Sequence, residues 1–249
     1  MHSTAYFMKK HIPNFITSLN LVSGFIAILF AAAGDLLTAS WFIAAAMIFD
    51  FLDGFSARLL KAYSDIGKEL DSLADVVSFG VAPAIIIFNY LGNSVSINPQ
   101  DPAETSDKLI LFMVLVIPSF MPVCAALRLA IFNLDKSQTT SFRGLPTPAN
   151  AIAVISLVIA GHYSGSSFLA SLTASPVFLI LLTVTLSLLM VSRISLFSLK
   201  ITNLKFKGNE GRYLLLVLIA AAFIFLGINA AALIIPLYII SSLVSDYFL

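Results

Sequence analysis

Apolar runs of the length needed to cross a bilayer, about 20 residues, follow one another along nearly the whole chain and leave few folds open to it. No water answers a backbone N–H or C=O inside hydrocarbon. A spanning segment must therefore satisfy its own hydrogen bonds, which runs of this length do as helices. The polar segments between them are too short to make a soluble domain. Only 11% of the 249 residues are charged and 59% are hydrophobic, where a soluble domain carries about 25% charged residues. The expectation is an all-α, polytopic membrane protein. A formal net charge of +1 gives no reason to expect a nucleic-acid partner. The single cysteine, Cys124, excludes an internal disulfide.

The runs resolve into about eight spans: 14–33, 37–60, 68–91, 108–133, 148–162, 176–191, 213–226 and 230–245. Lys9-Lys10, the apolar stretch that follows and Ala31-Ala32-Ala33 have the outline of a secretory leader. The stretch is nevertheless long enough to span, and Asn14, Thr17 and Asn20 interrupt its entry, so a retained first helix is expected. Pro118 and Pro122 should kink the fourth span. Gly227-Ile228-Asn229 should turn the last two into a hairpin. With the N-terminus inside, only Lys108 of the 14 basic residues falls outside, while the outer loop 92–107 carries Asp101, Glu104 and Asp107. That asymmetry predicts both termini on the cytoplasmic side of the cell's inner membrane. The basic loop 193–212 would then lie on anionic lipid headgroups. Residues 1–192 read as a catalytic core, and 193–249 as a basic loop followed by the hairpin.

Four carboxylates break the apolar pattern: Asp50, Asp53, Asp71 and Asp75. A central Asp costs roughly 2.5–3.5 kcal/mol to insert, so four cost roughly 10 kcal/mol or more without compensation. Spacings of three and four residues put each pair on one helix face. Two sequential antiparallel helices would bring both faces together near the cytoplasmic side. All-oxygen ligation suits Mg²⁺, Mn²⁺ or Ca²⁺, and four carboxylates can hold two such ions. Two ions close together polarise a diphosphate and stabilise its leaving oxygen. Gly54 and Ala57 leave room against the acidic face, and Arg58 offers a fork of donors to phosphate. Two other readings remain open at this point. The acids could pair with Arg58, Lys61 and Lys68 at the interface, or they could mark the path of a cation transporter. A transporter's acids would more naturally be spread over several helices near the midplane.

The pattern Asp50-x2-Asp53-Gly54-x2-Ala57-Arg58-x8-Gly67-x3-Asp71-x3-Asp75 resembles the signature of the CDP-alcohol phosphotransferases at every fixed position. Ser72 through Pro83 resembles the branch of that family that makes phosphatidylserine. Branches making phosphatidylglycerol phosphate or cardiolipin usually carry proline and lysine where Ser72 and Val76 stand. Three further segments are similar to the same branch: Pro13-Asn14-x2-Thr17-x2-Asn20-x3-Gly24, Arg128 to Asn133, and Phe142 to Pro148. Together the likeness covers about residues 12–150. One position departs, since Ile131 stands where the branch often carries a basic residue.

The resemblance implies transfer of a phosphatidyl group from CDP-diacylglycerol to L-serine with release of CMP. Glycerol phosphate or inositol phosphate acceptors are the family's alternatives. It implies two divalent cations, Mg²⁺ or Mn²⁺, held by Asp50, Asp53 and Asp71, with Asp75 as catalytic base and further metal ligand. Asn14, Thr17, Gly54, Ala57, Arg58 and Gly67 would face the CDP moiety. Ser78, Arg128, Asn133 and Arg143 are the candidates for holding serine. No covalent nucleophile is required, and His11 and His162 read as interfacial side chains. The resemblance also implies a homodimer in contact with membrane lipid.

Overall fold

The computed structural model describes residues 2–95, 108–134, 141–197 and 209–248. The expected acidic outer loop, Lys136 and most of the basic loop lie outside these residues. Ten α-helices are described: α1 (His2–Ala32), α2 (Leu36–Leu60), α3 (Asp65–Asp75), α4 (Ala82–Ser94), α5 (Lys108–Leu134), α6 (Thr147–Ser164), α7 (Ser167–Thr173), α8 (Pro176–Val191), α9 (Glu210–Leu226) and α10 (Ile234–Phe248). A π-helical turn, Val76–Val81, joins α3 to α4 without a break, and a 3-10 stretch, Gly227–Leu233, joins α9 to α10. Two short strands, β1 (Ser141–Arg143) and β2 (Ser195–Phe197), pair antiparallel with Phe142 opposite Leu196.

Among the described residues five helical segments are long and apolar enough to cross a membrane, or six if α7 and α8, bent by 74° at their junction, count as one. The eight expected spans are all present as helices, and two features account for the lower count. Glu210–Ser245 is helical throughout and counts as one segment, yet it folds back on itself. A Cβ on Gly211 would meet Ser245 Cβ at 2.7 Å, whereas a straight helix would separate those residues by roughly 50 Å. The other feature is α6, which carries Asn150 and ends in His162-Tyr163-Ser164. The Ser/Gly loop expected after α6 contains helix α7, capped by Ser166 accepting from Leu169 N. Both prolines of the fourth span lie within a continuous α5.

Helix α1 is the hub and packs against α2, α3, the π turn and α4. Lipid tails are as apolar as leucine, so helices in a membrane associate through close packing and interhelical hydrogen bonds. The α1–α2 seam follows that rule, with Ala27, Ala31, Ala39 and Ala46 all at 0% exposure. Ser23 Oγ donates across it to Phe42 O at 2.9 Å, and Asn89 Nδ2 of α4 donates to Ala31 O at 2.9 Å. Outward faces stay apolar: Phe25, Leu29, Trp41 and Ile48 are all exposed. In water such a surface would aggregate; in a bilayer it meets its own solvent.

Five long-range contacts gather one set of helix ends. Gly67 abuts Asn14, Lys68 Nζ donates to Asn133 O at 2.9 Å, and Asn133 Nδ2 donates to Ser72 Oγ at 2.9 Å. Gly144 N donates to Ile194 O at 2.9 Å, and Tyr238 OH donates to Phe197 O at 3.0 Å. The Asn14 region of α1, the α2–α3 reversal and the end of α5 therefore lie together, as do the start of α6 and the end of α8, and Thr147 at the start of α6, 3.4 Å from Asp75 of α3, joins the two groups at one end of the bundle.

The tightest approach at a glycine of α1 is Gly24 against Ser78 of the π turn, where an added Cβ would overlap Ser78 Oγ and lie 2.7 Å from its Cα. Gly24→Ala should lower stability by about 1–3 kcal/mol, the usual penalty of overpacking. A reduced thermal midpoint in detergent measures it.

Candidate active site

The acids converge as their spacing requires. Asp50 and Asp53 project from the second half of α2, and Asp71 and Asp75 from α3. The chain reverses between them in Lys61–Ser64, where Lys61 adopts φ 52° and Ser64 caps α3 by accepting from Gly67 N at 3.0 Å. Asp50, Asp53 and Asp71 each offer a carboxylate oxygen, and these oxygens lie within 4.8 Å of one another. Asp50 and Asp71 are close enough to interact directly, and like charges grouped in this way favour a proton or a cation among them. Asp53 is 5% exposed, and its Oδ2 and the Oδ1 of Asp71 are buried without a hydrogen-bond partner. Orphaned acceptors converging on one point fit a hard divalent cation.

A cavity of about 380 Å³ opens beside this cluster, with Asp53 and Asp71 in its wall. All six residues expected to face CDP, namely Asn14, Thr17, Gly54, Ala57, Arg58 and Gly67, line it. Pro13, Ala62, Tyr63, Ser64 and Lys68 complete the wall, and of these Ala62, Tyr63 and Ser64 were not singled out from sequence. The two glycines differ in purpose. Gly54 faces open space, the nearest atom to an added Cβ being Arg58 Nη1 at 3.8 Å. Gly67 lets α3 approach α1, because a Cβ there would meet Asn14 Oδ1 at 2.7 Å and Ser64 Oγ at 2.9 Å.

Asp75 is also buried, at the end of α3, and close enough to the other three acids to interact with each electrostatically. Its neighbours are Asn20, whose Nδ2 is 3.4 Å from Oδ1, and Thr147, whose Oγ1 is 3.4 Å from Oδ2. Sequence reasoning quoted both within motifs and gave neither a role. The available signal was that each is a polar residue flanked by apolar ones.

The four candidates for holding serine part company. Ser78 is fully buried and donates to Asn20 O at 3.1 Å. Asn133 ties α5 to α3 through Ser72. Arg128 is 8% exposed, with a buried Nε that has no hydrogen-bond partner. Its guanidinium lies 6.0 Å from the Phe132 ring centroid and within electrostatic reach of Asp75 and of Tyr238 on α10. Arg143 contributes its backbone to β1, and its side chain is not among those described.

In a membrane bundle, carboxylates clustered beside a cavity of about 380 Å³ suit an enzyme acting on a diphosphate-linked substrate. The chain belongs to the CDP-alcohol phosphatidyltransferase family, whose model matches residues 10–189, and it is an integral membrane protein. It is 34% identical over 185 residues to a CDP-diacylglycerol–serine O-phosphatidyltransferase of Bacillus subtilis, covering 74% of this chain and 89% of that one. A Saccharomyces cerevisiae protein of the same name is 39% identical over 172 residues, covering 63% of this chain and 56% of that one. An archaetidylserine synthase of Methanothermobacter thermautotrophicus is 34% identical over 155 residues, covering 61% of this chain and 60% of that one. The chain thus spans little more than half the length of the latter two.

Gly54→Val should place a branched side chain in the cavity without touching the core. Titration with CMP should show affinity weakened at least about tenfold, or about 1.4 kcal/mol, with the thermal midpoint unchanged.

Proposed function

We propose that this enzyme transfers the phosphatidyl group of CDP-diacylglycerol to L-serine and releases CMP. The observation that carries the chemistry is the cluster of Asp50, Asp53 and Asp71 carboxylates, of which Asp53 and Asp71 wall a cavity also lined by Arg58 and Lys68. The serine acceptor is supported by the relatives described above. Their names differ in the lipid, diacylglycerol against archaetidyl, and agree on serine.

In this reading Asp50, Asp53 and Asp71 hold two divalent cations, with Asp75 adjoining. Cations bound there would polarise the diphosphate and offset the charge on the departing CMP. Asn14, Thr17, Gly54, Ala57 and Gly67 shape the nucleotide site, and Arg58 donates to its phosphates. Asp75 accepts the proton of the serine hydroxyl, which requires that hydroxyl within hydrogen-bond reach. The hydroxyl oxygen attacks the phosphorus bearing diacylglycerol. The bond from that phosphorus to the bridging oxygen breaks, and CMP leaves with the electron pair. Arg128, a buried guanidinium with an unused Nε–H, holds the serine carboxylate. Ser78 gives its hydroxyl hydrogen to Asn20 O and Asn133 one amide N–H to Ser72, so both support the site's walls. Arg58, Lys61, Lys68 and Arg193 belong to the shared bundle end described above, which supports a cytoplasmic active site with both termini inside. The resemblance in sequence supports a homodimer.

The test is one assay with purified enzyme, CDP-diacylglycerol, Mn²⁺ and a panel of serine, glycerol phosphate and inositol phosphate, scored for CMP and lipid product. Serine alone should give turnover. Turnover with a phosphorylated acceptor and none with serine would reassign the acceptor, and cation flux into liposomes without CMP release would overturn the enzyme reading. EDTA should abolish activity, and Mg²⁺ or Mn²⁺ should restore it. Asp50→Ala, Asp53→Ala, Asp71→Ala and Asp75→Ala should each reduce CMP release to background while the protein stays monodisperse.

A further inference from the structure

Asp75 sits in an arrangement that neither the three-carboxylate cluster nor the nucleotide cavity explains. Each of its oxygens faces a donor from a different helix: Asn20 of α1 at Oδ1 and Thr147 of α6 at Oδ2, both at 3.4 Å. Asn20 and Thr147 are at 0% exposure, so water does not compete for these contacts, and their electrostatics are correspondingly strong. Separations of this length are usual at catalytic groups before substrate draws them in.

Both donors are anchored from behind. The Ser78 hydroxyl donates to Asn20 O at 3.1 Å, which binds α1 to the π turn that follows Asp75. Asn150, three residues after Thr147 on α6, donates Nδ2 to Phe79 O of the same turn at 2.9 Å. Such turns leave backbone carbonyls outside the regular helix ladder and recur at functional sites. Here the turn is tied to α1 on one side and α6 on the other. The two helices that present donors to Asp75 are thus fixed to the residues immediately downstream of it. One donor on each oxygen sets the rotation of the carboxylate plane. Each oxygen has two lone pairs, so one per oxygen stays free for a substrate hydroxyl.

We propose that Asn20 and Thr147 are positioning residues that orient the Asp75 carboxylate to take the proton of the acceptor alcohol. This rests on the reading of Asp75 as the base, and it holds for any acceptor.

The test separates hydrogen bonding from packing. Thr147→Val keeps the shape and removes the hydroxyl, whereas Thr147→Ser keeps the hydroxyl and removes a methyl. Positioning predicts that Thr147→Val lowers kcat about 10- to 100-fold, the scale of a misplaced catalytic group. The KM for CDP-diacylglycerol should stay within about twofold, because the lost interaction acts in the transition state. Thr147→Ser should keep most of the rate. Asn20→Leu should lower kcat similarly, and the double variant should lose less than the product of the two single losses, since both act through one carboxylate. A packing role predicts the opposite order, with Ser the poorer replacement. Wild-type kcat in Thr147→Val, or a Thr147→Ser enzyme as slow as it, overturns the proposal. Rates are scored as CMP release with whichever alcohol of the panel the wild-type enzyme uses best. Failure of serine alone therefore counts against the acceptor assignment and leaves the Val-to-Ser comparison decisive.

Discussion

A carboxylate in a low-dielectric bundle needs a proton or a counter-cation, and several grouped together need it more. Protein hydrogen bonds meet that need only in part here, for Asp53 Oδ2 and Asp71 Oδ1 are buried with none. The surrounding architecture keeps these charges close against their own repulsion. The reversal at Lys61–Ser64 sets α3 beside α2. Alanines along the α1–α2 seam let the helices approach closely, and Gly67 lets α3 touch Asn14. A site of this kind is a poor source of stability and a good receptor for cations.

Helix α1 links the two halves of the chemistry. Its middle supplies Asn14 and Thr17 to the cavity, and less than one turn beyond Thr17 Asn20 reaches the base. The C-terminal hairpin, beyond the family match, is joined to the same end of the bundle. Tyr238 donates to Phe197 O and packs edge-on to its ring with centroids 5.4 Å apart, while Arg212 lies over that ring. Because Phe197 belongs to β2, and β2 pairs with β1 just before Thr147, the hairpin braces the strand that leads into α6.

The spans and the acidic faces were legible because both depend on local spacing: the length of an apolar run, and a three- or four-residue step on a helix. Gly54, Ala57, Arg58 and Gly67 were legible through their fixed intervals from the acids, Asn14 and Thr17 through the separate likeness of the first helix, and the cavity collects all of them. What escaped depends on contacts distant in sequence. Thr147 is 72 residues from Asp75 and Asn20 is 55, so no local pattern could join them. The π turn has no composition of its own. Ser78 looked like a substrate ligand because a hydroxyl next to an acidic motif invites that reading, and only the approach of α1 at Gly24 reveals the partner it has. The β1–β2 pair joins two three-residue segments separated by α6, α7 and α8, too short to announce themselves.

The cavity lies at an end of the bundle, between helices whose neighbouring side chains Phe15, Phe51, Phe55 and Leu59 are turned outward and exposed. Its position makes it a boundary between two phases. A nucleotide product released there enters water and is diluted at once, whereas a diacyl product can move only sideways into the bilayer. The two products of one bond cleavage are thereby sorted by solubility, and their re-encounter, which reversal requires, becomes a search between a volume and a surface.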